Sequence, residues 1–237
     1  MYDIINSSFI AGTAQTLIGH PFDTIKTYKQ IEYKNSTMKI IDNLVKKNSI
    51  FYLYRGFFPP LIGGCIQNCL IFSSEHYINN LVNNNSLLSG FIAGSITSLL
   101  ISPAELIKSK LQIDKKEKTI NIIMKNNLFR GLFLTLLRDS IGFSIYFSSY
   151  QALQNSYDNP FLNGGVSGVL SWVYSYPIDV IKTKYTIYDK PLLSILKNQN
   201  KQKLLSGINI MLIRAFFVNG GIFCIFEKMK RFFPNIY

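Results

Sequence analysis

The sequence predicts an all-α membrane protein: six transmembrane helices in three two-helix repeats with pseudo-threefold symmetry. Three observations lead there. Only 16% of the 237 residues are charged while 48% are hydrophobic, a charge content low for a soluble domain of this size. The basic residues are sided: 17 of the 25 Lys and Arg fall in segments 29–55, 110–130 and 184–203, and the polar stretches 76–89 and 152–163 hold none. A hexamer of the form Pro-x-acid-x-x-base recurs three times at near-equal spacing.

A chain that crosses a bilayer keeps its Lys and Arg mostly in loops that stay on one side. The three Lys-rich segments are therefore expected in one compartment, and both termini in the other. A net charge of +12 would by itself also suit nucleic acid. Nucleic-acid surfaces interleave basic residues with exposed aromatics, whereas these segments are mainly Lys and Asn, so no nucleic-acid partner is expected.

The hexamers are Pro21-Phe22-Asp23-Thr24-Ile25-Lys26, Pro103-Ala104-Glu105-Leu106-Ile107-Lys108 and Pro177-Ile178-Asp179-Val180-Ile181-Lys182, spaced by 82 and 74 residues. Flanking positions keep the same register. Thirteen and nine residues before each proline stand Ser8 and Gly12, Gly90 and Gly94, Gly164 and Gly168, pairs that let helix backbones approach closely in lipid. Downstream lies a reference glycine in each unit, Gly56, Gly131 and Gly207, preceded in the first two by Tyr54-Arg55 and Phe129-Arg130 and in the third by Leu205-Ser206. Thirteen residues past each glycine is a small residue (Cys69, Ser144, Gly220), and sixteen past it a phenylalanine (Phe72, Phe147, Phe223). The register divides the chain into repeats at 1–82, 83–157 and 158–237. Helices are predicted near 6–31, 57–81, 87–112, 132–155, 161–186 and 207–231, each long enough at 1.5 Å per residue to cross a core of about 30 Å. Polar residues inside several spans suit a bundle around an aqueous cavity.

These motifs resemble those of the mitochondrial carrier family, and the likeness covers nearly the whole chain. The resemblance implies a monomeric, multi-pass transporter of the mitochondrial inner membrane, surrounded by bilayer lipid with cardiolipin as the candidate specific lipid. Pro21, Pro103 and Pro177 would kink their helices at one level and taper the cavity. At that level the resemblance implies a matrix-side gate of ion pairs between repeats: Asp23 with Lys108, Glu105 with Lys182 and Asp179 with Lys26. The family's second network, at the opposite mouth, is largely missing here. Only Glu227 and Lys230 fit its pattern, with Gln151 in place of an acid, so either this outer gate is weak or substitutes such as Glu75 act outside the pattern.

Seven residues past the reference glycines come Gly63, Arg138 and Arg214, which by resemblance contact the substrate. Arg offers a fork matched to phosphate or carboxylate, and Asp139 beside Arg138 would either neutralise it or bind a substrate amino group. The leading expectation is alternating-access exchange, an antiport, of a small anionic metabolite, with a nucleotide (deoxynucleotides included) as substrate class. The alternatives are an amino acid or related zwitterion, because an Arg–acid pair at that position resembles amino-acid carriers, and a structural membrane protein without transport. No enzyme, cofactor or metal is expected. His20 and His76 are too few for a histidine site, Cys65, Cys69 and Cys224 lack metal spacing, and no nucleophile stands with its base.

Overall fold

The computed structural model describes residues 2–31, 36–48, 50–54, 57–113, 128–188, 191–197, 204–205 and 207–232; at 2–8, 27, 30–31, 45–48, 50, 52, 59–60, 108–113 and 226–232 it describes the backbone alone. Six long helices dominate: α1 (Tyr2–Ile31), α3 (Phe58–Leu81), α4 (Ser86–Ile113), α5 (Leu132–Gln154), α6 (Pro160–Tyr188) and α8 (Ile208–Phe232). Shorter pieces follow the odd member of two repeats: α2 (Thr37–Asn48) with a 3-10 turn at Ile50–Tyr54, and α7 (Leu192–Lys197). The shortest long helix has 23 residues and the longest 30, so each spans about 34 to 45 Å, enough to cross the apolar core of a bilayer.

The long helices form a closed ring. Neighbours in sequence pack on each other, α1 on α3, α3 on α4, α4 on α5, α5 on α6 and α6 on α8, and α8 returns to α1. Within each repeat the glycines of the register make the contact between its two helices. A Cβ on Gly12 would lie 2.8 Å from Cys65 Cα, one on Gly90 2.5 Å from the Phe143 carbonyl oxygen, and one on Gly164 2.8 Å from that of Asn219. Without an apolar driving force between helices in lipid, such backbone approach is what holds a pair together.

Local chemistry fixes the ends. Gly131 and Gly207 open α5 and α8 with φ of 90° and 87°, a left-handed conformation that side chains other than glycine's disfavour. At the other ends the connections are short. Asn83 and Asn84 turn the chain between α3 and α4 with positive φ, and Asn85 and Asn159 cap α4 and α6 by accepting from the amides of Leu88 and Leu162, both at 3.2 Å. Side-chain oxygens at such positions satisfy amide donors that the first helical turn leaves open.

Two segments, Ser86–Ile107 and Ile208–Ile225, are apolar enough to read as membrane spans by composition alone. The other long helices carry polar residues, and the ring turns these inward. Its outer surface presents Leu17, Ile18, Phe91, Leu99, Leu100, Val173, Ile213 and Phe217, an apolar belt suited to lipid. The helices run on through Pro21, Pro103 and Pro177.

Candidate functional site

A cavity of about 650 Å³ lies inside the ring, lined from all six long helices. Gly63, Arg138 and Arg214, the three register positions seven past the glycines, all border it, together with Asp139. At Gly63 nothing lies within 4 Å of where a Cβ would sit, which leaves an open notch in the wall at that level.

Toward the proline end the cavity is charged. Lys26 Nζ donates to Asp179 Oδ2 at 2.6 Å, joining α1 to α6, and Lys182 of α6 is hydrogen-bonded to Glu105 of α4. The third expected partner, Lys108, lies outside the residues whose side chains are described. Asp23 meets Arg214, whose Nε is 2.6 Å from Oδ1 and whose Nη2 is 3.2 Å from Oδ2.

Arg138 is the most heavily bonded of these groups. Its Nε donates to Asp139 at 2.6 Å, Nη2 to the two oxygens of Glu105 at 2.9 and 3.1 Å, and Nη1 to Asp179 at 3.2 Å. The residue is 8% exposed, and the carboxylates around it offset the cost of holding a guanidinium so deep. Asp139 is held in turn by the Ser98 hydroxyl at 2.9 Å. The described charges on the wall balance, with Asp23, Glu105, Asp139 and Asp179 facing Lys26, Arg138, Lys182 and Arg214.

The sequence reading passed over Trp172, which lines the cavity and lies 5.0 Å from Lys26 Nζ, within cation–π range. The signal was present in the register: Trp172 stands five residues before Pro177, as Thr16 and Ser98 do before Pro21 and Pro103. Gln15 and Asn68 were also missed. The Asn68 amide donates to Gln15 Oε1 at 2.5 Å, a polar bridge between α1 and α3 on the cavity wall.

At the opposite end the cavity is roofed by aromatics. Phe72 meets Phe147 and Phe223 edge to face at centroid distances of 6.0 and 6.2 Å, and Tyr150 stacks on Phe223 at 3.6 Å. These phenylalanines are the residues sixteen past the reference glycines, about 24 Å along helices of 1.5 Å rise. Of the expected outer gate, Gln151 is engaged within its own repeat, accepting from Ser86 at 2.5 Å. The side chains of Glu227 and Lys230 lie outside the described residues. Among the described residues no cluster of His, Cys, Asp or Glu is arranged to hold a metal.

Known proteins with the same pattern are carriers. The chain is 29% identical to the mitochondrial arginine transporter BAC2 of Arabidopsis thaliana over 93% of its length and 88% of that protein. It is 29% identical to the mitochondrial basic amino acids transporter of Homo sapiens over 73% of this chain and 68% of the other, and 32% identical to mitochondrial ornithine transporter 1 of Saccharomyces cerevisiae over 59% and 57%. The family described as mitochondrial carrier protein matches residues 2–86, 83–160 and 156–237, once for each two-helix unit of the ring. The chain therefore belongs to the mitochondrial carrier family and is a multi-pass transport protein of the mitochondrial inner membrane, not an enzyme.

Proposed function

We propose that the protein exchanges a basic or zwitterionic amino acid across the inner membrane by alternating access. The observation that carries this reading is the balanced charge of the cavity wall, where Arg138 and Asp139 stand as neighbours 2.6 Å apart. A nucleotide would bring several phosphate charges into a space where each described cation already faces a carboxylate, and it would meet four carboxylates on the way. An amino acid brings one carboxylate and at least one ammonium, and the wall offers partners for both. The expectation of an anionic substrate thus gives way to its amino-acid alternative, which the arginine, ornithine and basic amino acid transporters among the relatives also favour.

In this reading Arg138 and Arg214 hold the substrate carboxylate and Asp139 its ammonium, with Gly63 leaving space for the side chain. Asp23, Lys26, Glu105, Lys108, Asp179 and Lys182 form the gate on the matrix side. Reconstitution into liposomes loaded with candidate counter-substrates is the test. Uptake of labelled arginine, lysine or ornithine is expected, with none of ADP or dATP; uptake of nucleotides alone would overturn the reading.

A further inference from the structure

Two levels of the cavity differ in kind. All four described carboxylates on its wall, Asp23, Glu105, Asp139 and Asp179, sit just past the prolines or beside a register arginine. One turn below the aromatic roof the wall is uncharged. Twelve residues past the reference glycines stand Asn68, Phe143 and Asn219, all on the cavity. The two asparagines are anchored alike, each donating from Nδ2 at 2.8 Å to a carbonyl four residues back, that of Gly64 for one and of Ala215 for the other. Their oxygens differ. Asn219 Oδ1 accepts from the Tyr146 hydroxyl at 3.3 Å, whereas Asn68, 6% exposed, directs its Nδ2 to Gln15 Oε1 as well. Among the described residues nothing donates to Asn68 Oδ1 and nothing accepts from Gln15 Nε2. The polarity is fixed by the anchor: Asn68 turns its amide nitrogen to the Gly64 carbonyl and to Gln15, so the bonded pair is left with one acceptor on Asn68 and one donor group on Gln15.

We propose that Gln15 and Asn68 are a side-chain subsite of the carrier, one that takes a carboxamide, as in glutamine, ahead of an ammonium or guanidinium. A carboxamide carries both an acceptor and a donor, the complement of what the bonded pair leaves open. A cationic side chain finds a single acceptor there and no carboxylate. Gln15 stands eight residues before Asp23, about 12 Å away along α1 at 1.5 Å per residue, and a buried charge without a partner is costly. The reach fits. Asn68 lies five residues beyond Gly63, about 7.5 Å along α3, so a substrate whose carboxylate and ammonium are held by the arginines and Asp139 extends its side chain past the notch at Gly63 toward the pair. A neutral side chain also leaves the charge balance of the wall undisturbed. The inference rests on the amino-acid reading for the head group, and it adds which side chain is preferred; basic amino acids are still taken, more weakly.

The test is occupancy of the cavity, read without transport. A cysteine is introduced as Gln67→Cys, a cavity position next to Asn68 in the chain, with the three native cysteines replaced by alanine, and an impermeant maleimide is added to the reconstituted carrier. The concentration that halves the labelling rate is measured for glutamine, lysine, ADP and norleucine, the last close to glutamine in length but without its amide. Glutamine should protect at concentrations about tenfold below those of norleucine and of lysine, the effect of one to two neutral hydrogen bonds in a site whose polar groups are otherwise unpaired. Gln15→Glu keeps the oxygen that accepts from Asn68 and replaces the open donor with a second carboxylate oxygen. The order should then reverse, with lysine protecting at concentrations about tenfold below those of glutamine. A bond that only braces α1 against α3 predicts no reversal. An unchanged ratio of glutamine to lysine in Gln15→Glu would overturn the subsite, and so would norleucine matching glutamine in the parent, a comparison that needs no variant at Gln15. Protection by ADP with none by any amino acid would overturn the amino-acid reading itself, whereas equal protection by lysine, norleucine and glutamine strikes the subsite alone.

Discussion

Lys26 Nζ lies 2.6 Å from Asp179 Oδ2, a bond between residues 153 positions apart that ties the first repeat to the third. Its two ends are not equivalent. Asp179 also accepts from Arg138, while Lys26 has the faces of Trp172 and Tyr176 within 5.0 and 5.7 Å.

Asp179→Asn is accordingly expected to cost more than Lys26→Ala. Removing the acid leaves two buried cations facing a neutral amide, whereas removing the lysine leaves the carboxylate with Arg138. Breaking a buried pair from its more connected side costs about 3 to 5 kcal/mol, against roughly 1.5 to 3 for one hydrogen bond to a charged group. Thermal melting in detergent measures the order. The exchange Lys26→Asp with Asp179→Lys should recover only part of the loss, since the new ammonium would face Arg138.

Close approach in the ring predicts a second contrast. Gly90→Ala sets a methyl 2.5 Å from a carbonyl oxygen of the main chain, which no rotamer change relieves, so it should lower stability by about 1 to 3 kcal/mol, the usual cost of overpacking. Gly63→Ala enters open space and should leave the melting temperature within a degree or two. It borders the cavity, so KM should rise while stability holds. Equal melting shifts for the two variants would contradict the assignment of Gly90 to packing and Gly63 to the wall.

Much of the fold was legible because repetition leaves a mark in sequence. Gly12, Gly90 and Gly164 announced the approach within each repeat, and the alternation of lysine-rich and lysine-poor segments announced the crossings. Helix ends came within a few residues, the largest difference being in the first helix, which begins at Tyr2, four residues before the cap-type Asn6 where the sequence placed its start. The site was less legible. Register placed Arg138 and Arg214 in the cavity, but their partners depend on how far a long side chain reaches across the bundle, which spacing along one helix does not encode. The three phenylalanines were visible as a periodic feature, yet their meeting point exists only once the ring has closed.

Sidedness yields a third prediction. The structure puts α2 at the proline end, where Ile40 and Leu44 pack with Ile25, Leu53 and Ile210. Cysteines introduced as Asn43→Cys and Asn121→Cys should both label from the matrix side and stay protected in intact mitochondria, as expected for basic segments held in one compartment. Ready labelling of either from outside would reverse the orientation and with it the assignment of the proline-level gate to the matrix.

The end away from the prolines is closed by packing, and this has its own signature. Phe223 stands at the centre of that roof, in ring contact with Phe72, Tyr146 and Tyr150 and only 4% exposed. Among the polar groups nearby, Gln151 takes its bond from Ser86 of the same repeat, and Glu75 of the first repeat accepts from the Ser89 hydroxyl of the second, a neutral donor in place of a cation. Truncating a buried phenylalanine costs about 3 to 5 kcal/mol, and aromatic pairs add roughly 0.5 to 1.5 each. Phe223→Ala should therefore open the cavity toward that end, raising the labelling of Gln67→Cys from the side opposite the prolines by at least about tenfold. Phe223→Leu, which keeps most of the buried area, should sit near the parent. Ionic strength separates this roof from a gate of ion pairs, because screening weakens exposed charge pairs and leaves apolar contact nearly unchanged. Labelling from the roof side should thus be insensitive to salt between about 0.05 and 0.5 M, a range over which the Debye length falls from roughly 14 to 4 Å. A steep rise with salt in the parent protein would mean that charges at that mouth, and not the aromatic contact, keep it shut.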